Sequence, residues 1–284
     1  MSYTLTTLKS AIQDYSENTE TTFVNNLREF IRATENRIFK SIDFEVFRKN
    51  VTSATTSSDR FLSVPDDYLA SFSLSVTNSS NIEFLLEKDV NFIQEYNPNS
   101  STTGVPKYYA RFDVTNFILA PTPNSNYSVE LHYYYRPTSL ADSTIVITVS
   151  STSSFAVNET ITGASSGATA TISSKNDSTN QITIVVPTTA FTSGETITGG
   201  TTGASSAISA ISSDTTTTWL STNARNAMLY GALYEAYIFM KGEQDVLVMY
   251  EKRFNEELMR LKDLGEAREN ADAYRQGLPR RART

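Results

Sequence analysis

Apolar residues at Leu5, Leu8, Ile12 and Tyr15 return at helical spacing, and the pattern resumes at Phe23, Leu27, Phe30, Ile31, Thr34 and Ile38. The spacing predicts two helices over residues 1–44. Thr4, and Thr19 or Thr21, are the expected N-caps. The period then shortens to two. Arg60-Phe61-Leu62-Ser63-Val64 alternates up to Pro65, and Ser71 to Val76 alternates with Phe72, Leu74 and Val76 on one face. Ile82, Phe84 and Leu86 form a third strand, Asp89 to Tyr96 a helical turn, and Asn97-Pro98-Asn99-Ser100 a loop. Strands are expected at Tyr108 to Phe112, Asn116 to Leu119 and Ser128 to Arg136. In the last, Val129, Leu131, Tyr133 and Tyr135 share a face opposite Glu130, His132, Tyr134 and Arg136.

Between 143 and 213 the character changes. Only Glu159, Lys175, Asp177 and Glu195 are charged there, and a repeat of period 36 runs through it. Glu159-Thr160-Ile161-Thr162-Gly163 matches Glu195-Thr196-Ile197-Thr198-Gly199. Phe155 matches Phe191, Gly167-Ala168 matches Gly203-Ala204, and Ile172 matches Ile208. Each copy opens on a β-rich run, Ile145 to Val149 and Ile182 to Val186. Two copies are too few for a solenoid, so a small inserted all-β domain of two related halves is expected. The alternative is a disordered Ser/Thr linker, which leaves the matched Phe and Ile positions unexplained. Helical periodicity returns over 219–264. Ser221 or Thr222 is the expected cap and Lys241-Gly242 the stop. A second helix carries Leu247, Tyr250, Phe254, Leu258, Leu261 and Leu264. The short break implies an antiparallel hairpin. After Gly265 the stripe ends, and 266–284 is expected to be an extended or weakly helical tail. The fold class is therefore α+β: a helical bundle from N- and C-terminal helices, an antiparallel β region, an inserted β domain and an extended C-terminal tail. The adaptor-like core covers 1–142 and 214–265.

Chemistry is sparse. There is no cysteine among the 284 residues, which excludes disulfides and thiol chemistry. His132 is the lone histidine, so no two-histidine metal site exists, and a structural role on its strand is the simpler reading. Asp66-Asp67 after Pro65 reads as a strand end and cap, not as an acid pair. No phosphate-binding loop, dinucleotide fingerprint or nucleophile elbow appears. No run is long and apolar enough to span a membrane, and Met1-Ser2-Tyr3-Thr4-Leu5 lacks the pattern of a secretory signal. No enzyme, cofactor or metal is expected.

Charge points to contacts. The net charge is −7, but the last ten residues hold four arginines and no acid, which leaves −11 on the rest. An acidic body discourages wrapping by nucleic acid. The basic end suits a protein partner: Tyr274, Arg275, Leu278, Arg280, Arg281 and Arg283 combine aromatic, apolar and guanidinium groups in a segment that can fold on docking. A solubilising end is the competing reading. Tyr230, Tyr234, Tyr237 and Met240 are candidate subunit-interface residues, because apolar groups spread around more than one face of their helix, and Trp219, a lone tryptophan at a domain junction, is a candidate anchor beside its packing role.

A set of pieces in order resembles the head-to-tail adaptor (connector) proteins of tailed bacteriophages, including the tail tubular protein A type. The pieces are Phe30-Ile31-Arg32-Ala33-Thr34-Glu35-Asn36-Arg37-Ile38 and Leu62-Ser63-Val64-Pro65-Asp66-Asp67-Tyr68-Leu69. Gly104-Val105-Pro106 before Tyr108, then Ala120-Pro121-Thr122-Pro123 and Leu131 to Pro137, follow. Ala232-Leu233-Tyr234-Glu235-Ala236-Tyr237 and Tyr250 to Leu261 complete the set. The resemblance implies a structural virion protein at the head–tail junction. It implies a homo-oligomeric ring, dodecameric in the family, between the portal protein and a downstream tail or nozzle protein, through which DNA passes without specific binding. The portal contact would fall on Tyr274 to Thr284. The 143–213 insert departs from the family, where the corresponding join is short. The alternative function is a tail component that binds host-surface glycan through that insert.

Overall fold

A computed structural model describes residues 2–42 and 45–275, with side chains at 45 and 264–275 left aside. The chain divides into two compact units, Met1–Asp43 with Thr138–Thr284, and Phe44–Pro137. The architecture is α+β.

Helix α1 (Leu5–Ser16) starts at Thr4, whose hydroxyl accepts the Thr7 amide while Thr7 Oγ1 accepts the Thr4 amide. Leu5, Leu8 and Ile12 are fully buried, whereas Tyr15 is exposed. Helix α2 (Thr21–Ser41) buries Phe23, Leu27, Phe30, Ile31, Thr34 and Ile38, the stripe expected. Each such large side chain contributes roughly 1.5–3 kcal/mol. Its N-cap is Glu20, with no side-chain cap, not Thr19 or Thr21. Asn18 Oδ1 accepts the Glu20 amide at 2.8 Å and sets the chain's entry one residue off either threonine.

The second unit contains strands β1 (Arg48–Ala54), β2 (Phe61–Ser63), β3 (Tyr68–Asn78) and β4 (Asn81–Glu87), then helix α3 (Val90–Tyr96). Strands β5 (Thr103–Gly104), β6 (Tyr108–Arg111), β7 (Asn116–Ala120), β8 (Thr122–Pro123) and β9 (Ser128–Tyr135) follow. Seven of these pair in the order β1-β9-β3-β4-β6-β7-β2, antiparallel except for β4 with β6. One face of the sheet packs Leu62, Leu74, Val76, Leu85, Phe117 and Leu131 with Tyr109 and Tyr133 into a core. Val129, Leu131 and Tyr133 lie on it as the alternation predicts. Phe72 does not join Leu74 and Val76. The register against β9 slips between Ser71 and Ser73, so Phe72 is the extra residue of a β-bulge and turns outward.

In the first unit, strands β10 (Thr144–Val149), β11 (Thr160–Gly163), β12 (Thr169–Asn176), β13 (Gln181–Val185), β14 (Thr196–Gly199) and β15 (Ser205–Ile211) close into a barrel, in the order β10-β13-β12-β11-β14-β15. Ile145, Ile147, Ile161, Ile172, Ile182, Ile184, Ile197 and Ile208 fill it, together with Phe155 and Phe191. The repeat is thus a pseudo-twofold. Strands β11 and β14 pair through their own equivalents, Ile161 opposite Gly199 and Gly163 opposite Ile197. Closure removes the sheet edges that a six-strand open sheet would expose.

Helices α4 (Trp219–Asn223), α5 (Arg225–Met240) and α6 (Gln244–Arg275) follow. The first cap is Thr218, not Ser221 or Thr222. Thr218 Oγ1 accepts the Ser221 amide, and the buried Ser221 hydroxyl accepts the Thr218 amide at 2.9 Å. Thr218→Ala is expected to cost about 1 kcal/mol, read as a lower urea midpoint at unchanged slope. Lys241 ends α5 in the left-handed region (φ 52°), and the Gly242 amide returns to the Tyr237 carbonyl at 2.9 Å. Helix α5 is buried against α1, α2 and α6. Gly231 lets the elements meet, since a Cβ there would stand 2.3 Å from Thr34 Cγ2 and 2.8 Å from Phe254 Cε2. Helix α6 continues to Arg275, past the point where its apolar stripe ends. Glu266, Ala267, Arg268, Glu269, Ala271 and Ala273 are good helix formers, and that propensity replaces the missing stripe.

Candidate interaction surface

The candidate interface residues of the helical hairpin are all half-buried within their own unit. Tyr230 stacks on Tyr250 at 6.5 Å between centroids, with the Arg253 guanidinium 5.5 Å from its ring. Tyr237 lies 5.1 Å from the same Tyr250 ring. Arg37 sits 4.7 Å over Tyr234 and pairs with Glu235 at 3.4 Å. Met240 Sδ accepts from Asn18 Nδ2 at 3.2 Å, and Trp219 opens α4. Tyr230, Tyr234 and Tyr237 therefore lie along the seams of α5 with α2 and α6, and Met240 meets the connection between α1 and α2. Among the described residues, the large apolar side chains of the same hairpin that stay exposed are Ile238, Phe239, Val248, Met249 and Met259, the last 70% exposed. For Val248, Met249 and Met259 the signal in the sequence is their place off the Leu247–Tyr250–Phe254–Leu261 stripe.

Of the predicted docking tail, Tyr274 and Arg275 are the final residues of α6, with side chains outside the description. Leu278, Arg280, Arg281 and Arg283 lie outside the described residues.

In the second unit, the face of β4 opposite the core carries Ile82, Phe84 and Leu86 in a row, with Phe84 67% exposed. The bulged Phe72 is exposed as well, with the Arg48 guanidinium 4.6 Å over its ring. Helix α3 covers the next part of the same face, where Ile93 packs on Ala110, Ile118 and Ala120. Alternation alone does not say which face of β4 is inward. Leu85, flanked by these three, is the buried residue.

The polar residues weighed as chemistry are tied into structure. Asp67 accepts from Tyr133 Oη and Lys49 Nζ, both at 2.7 Å. Burial works against its charge, but these donors hold its carboxyl below the usual range. His132 Nδ1 lies 2.9 Å from Ser73 Oγ, and its Nε2 lies 3.4 Å from Glu130. Among the described residues, no three acids or histidines converge to hold a metal ion, and no helix is long and apolar enough to cross a membrane.

The family model described as SU10 adaptor protein matches residues 3–153. The match runs from α1 through the seven-stranded sheet into β10. A search of the curated proteins finds no match.

Proposed function

We propose, from the premise that this chain belongs to the SU10 adaptor protein family of phage structural adaptors, that it is the head-to-tail adaptor of a tailed phage, of the tail tubular protein A type. Copies stand side by side in a ring, twelve in the resembled family, between the portal and the tail protein below, and DNA passes through the ring. The observation that carries the reading is the family match, which takes in the N-terminal helices α1 and α2 and the whole seven-stranded sheet. Exposed apolar groups on each unit agree with it. A soluble monomer rarely exposes contiguous apolar patches beyond a few hundred Å², and the outward faces of β4 and of the α5–α6 hairpin have the composition of surfaces that neighbours cover. Tyr274 to Thr284 supply the portal contact, with Arg275, Arg280, Arg281 and Arg283 meeting acidic groups and Tyr274 and Leu278 apolar pockets.

The glycan-binding reading of the insert draws less support. Phe155 and Phe191 are the two aromatic residues of 143–213, and both are buried in the barrel.

Electron microscopy of the protein mixed with its portal tests the proposal. The full chain should cap the portal with a ring. Deleting residues 276–284 should abolish attachment while leaving α6 whole. Attachment that survives the deletion removes the tail from the contact, and a lone particle at every protein concentration removes the ring.

A further inference from the structure

A cleft of about 310 Å³ lies where α1 and α2 meet the barrel. Thr6, Lys9, Ser10 and Gln13 line it from α1, and Val24 from α2. Ile145, Val186, Phe191 and Ile211 line it from the barrel. Lys9 takes a position of the buried stripe of α1, between Leu8 and Ile12, and is only 8% exposed. Lysine is seldom so buried without an anion beside it. Yet its ammonium makes no hydrogen bond or ion pair among the described residues. The charge that acts on it is the like charge of Arg28, and burial and Arg28 together lower its pKa. Neither neighbouring ion pairs with it. Asp214, on the cleft wall, already accepts from the Thr6 amide and hydroxyl, both at 2.9 Å. Arg28 is committed to the Ala141 carbonyl at 2.8 Å.

We propose that this cleft is a binding site for an organic carboxylate with an apolar stem: the carboxylate meets Lys9, and the stem lies against Ile145, Val186 and Phe191. A singly charged anion fits better than a phosphate. One ammonium is available, and the fixed negative charge of Asp214 opposes a dianion. Apolar walls with a small number of placed polar and charged groups are the usual make-up of a small-ligand site, and the volume is that of a small one. The carboxylate could belong to a free acid or to the end of a peptide chain, and the two make the same contact with Lys9.

Calorimetric titration of the full chain separates them. The probes are 3-phenylpropanoate and N-acetylglycyl-phenylalanine, each beside its neutral amide. At least one acid should bind about tenfold or more tightly than its amide, the usual worth of a charge-assisted hydrogen bond. The tighter of the two acids identifies the source. Lys9→Met should erase the preference for acid over amide, and Lys9→Arg should retain part of it. Because Lys9→Met replaces a largely buried lysine, whose charge burial disfavours, with an apolar side chain of similar length, its melting temperature should hold or rise. Should that variant fail to fold, Ala190→Trp, at an exposed position on the rim of the cleft, should block both acids. Equal binding of acid and amide, no binding of either acid, or a preference that survives both Lys9→Met and Ala190→Trp would overturn the proposal.

Discussion

Gly231→Val is expected to destabilise the helical unit by about 3 kcal/mol or more, at the upper end of overpacking penalties. The new side chain would occupy the place where α2, α5 and α6 meet. Its Cβ alone falls 2.3 Å from Thr34 Cγ2 and 2.8 Å from Phe254 Cε2, and both neighbours are fully enclosed. Neither can swing into solvent, so α2 or α6 must move away from α5. Backbone conformation plays no part, because Gly231 sits in regular helix, where valine costs only a few tenths of a kcal/mol beyond alanine. Thermal unfolding followed at 222 nm should show the loss as a fall of several degrees or more in the midpoint. A smaller variant isolates the contact. Gly231→Ala should be rescued in part by Thr34→Ser, which deletes the colliding methyl and keeps the hydroxyl that donates to the Phe30 carbonyl at 2.8 Å. Additive effects of the two substitutions would mean that the methyl is not what limits the approach.

That crowding shows where sequence reading reaches and where it stops. The stripe of α2 was legible because all its residues face one way and repeat at helical spacing. The final strand β9 was legible because alternation there runs without interruption. Phe72 looked equivalent to Leu74 and Val76 because nothing in the local sequence marks a bulge. The bulge exists only in the pairing of β3 with β9, a contact between residues about sixty apart. Ile82, Phe84 and Leu86 marked a strand, which β4 is, but not its inward face, since one residue of register decides that. Helix α5 reads as apolar on several faces. That pattern fits a helix surrounded by its own chain as well as one that meets a neighbour, and here α1, α2 and α6 account for most of it. The tail was legible only as composition. Lys9 was not legible at all, because one lysine in an amphipathic helix is ordinary surface chemistry until the barrel stands over it.

The repeat in the insert was visible as matched residues, but its two acids have a role that requires the closed barrel. Glu195 accepts the Thr192 amide of its own repeat at 2.6 Å, then crosses to the other repeat. There it accepts the Ser165 and Ser166 amides at 3.1 and 3.0 Å and the Ser166 hydroxyl at 2.8 Å. Glu159 does the reverse, accepting the Ala156 amide at 2.6 Å and the Thr201 and Thr202 amides at 3.3 and 3.1 Å. Each half of the barrel is thus pinned at a hairpin tip by the other half's carboxylate. Gly163 and Gly199 leave room for this, since a Cβ at either would stand 2.6 Å from the crossing carboxylate.

Glu195→Gln is therefore expected to loosen the barrel by roughly 3 kcal/mol at neutral pH, because the variant keeps one acceptor oxygen where several donors need two. The pH dependence identifies the charge. Burial alone would raise the Glu195 pKa, but the amides of Ser166, Thr192 and Ser165 outweigh it and hold it at about 2, against an ordinary 4.5. A carboxyl depressed in the folded state adds stability that is complete above the unfolded pKa and is lost as pH falls through the folded one. The wild type should therefore lose its advantage over Glu195→Gln between about pH 4.5 and pH 2. Glu159, also depressed, adds a loss of the same sign in the wild type and the variant alike. Hydrogen exchange read by mass spectrometry on peptides from 144–211, corrected for intrinsic rates, should show the variant's faster opening at pH 7 and a narrowing gap toward pH 3. A gap that is constant across that range would mean that the crossing contact is held by shape alone, and the ionic clamp between the two repeats would have to be given up.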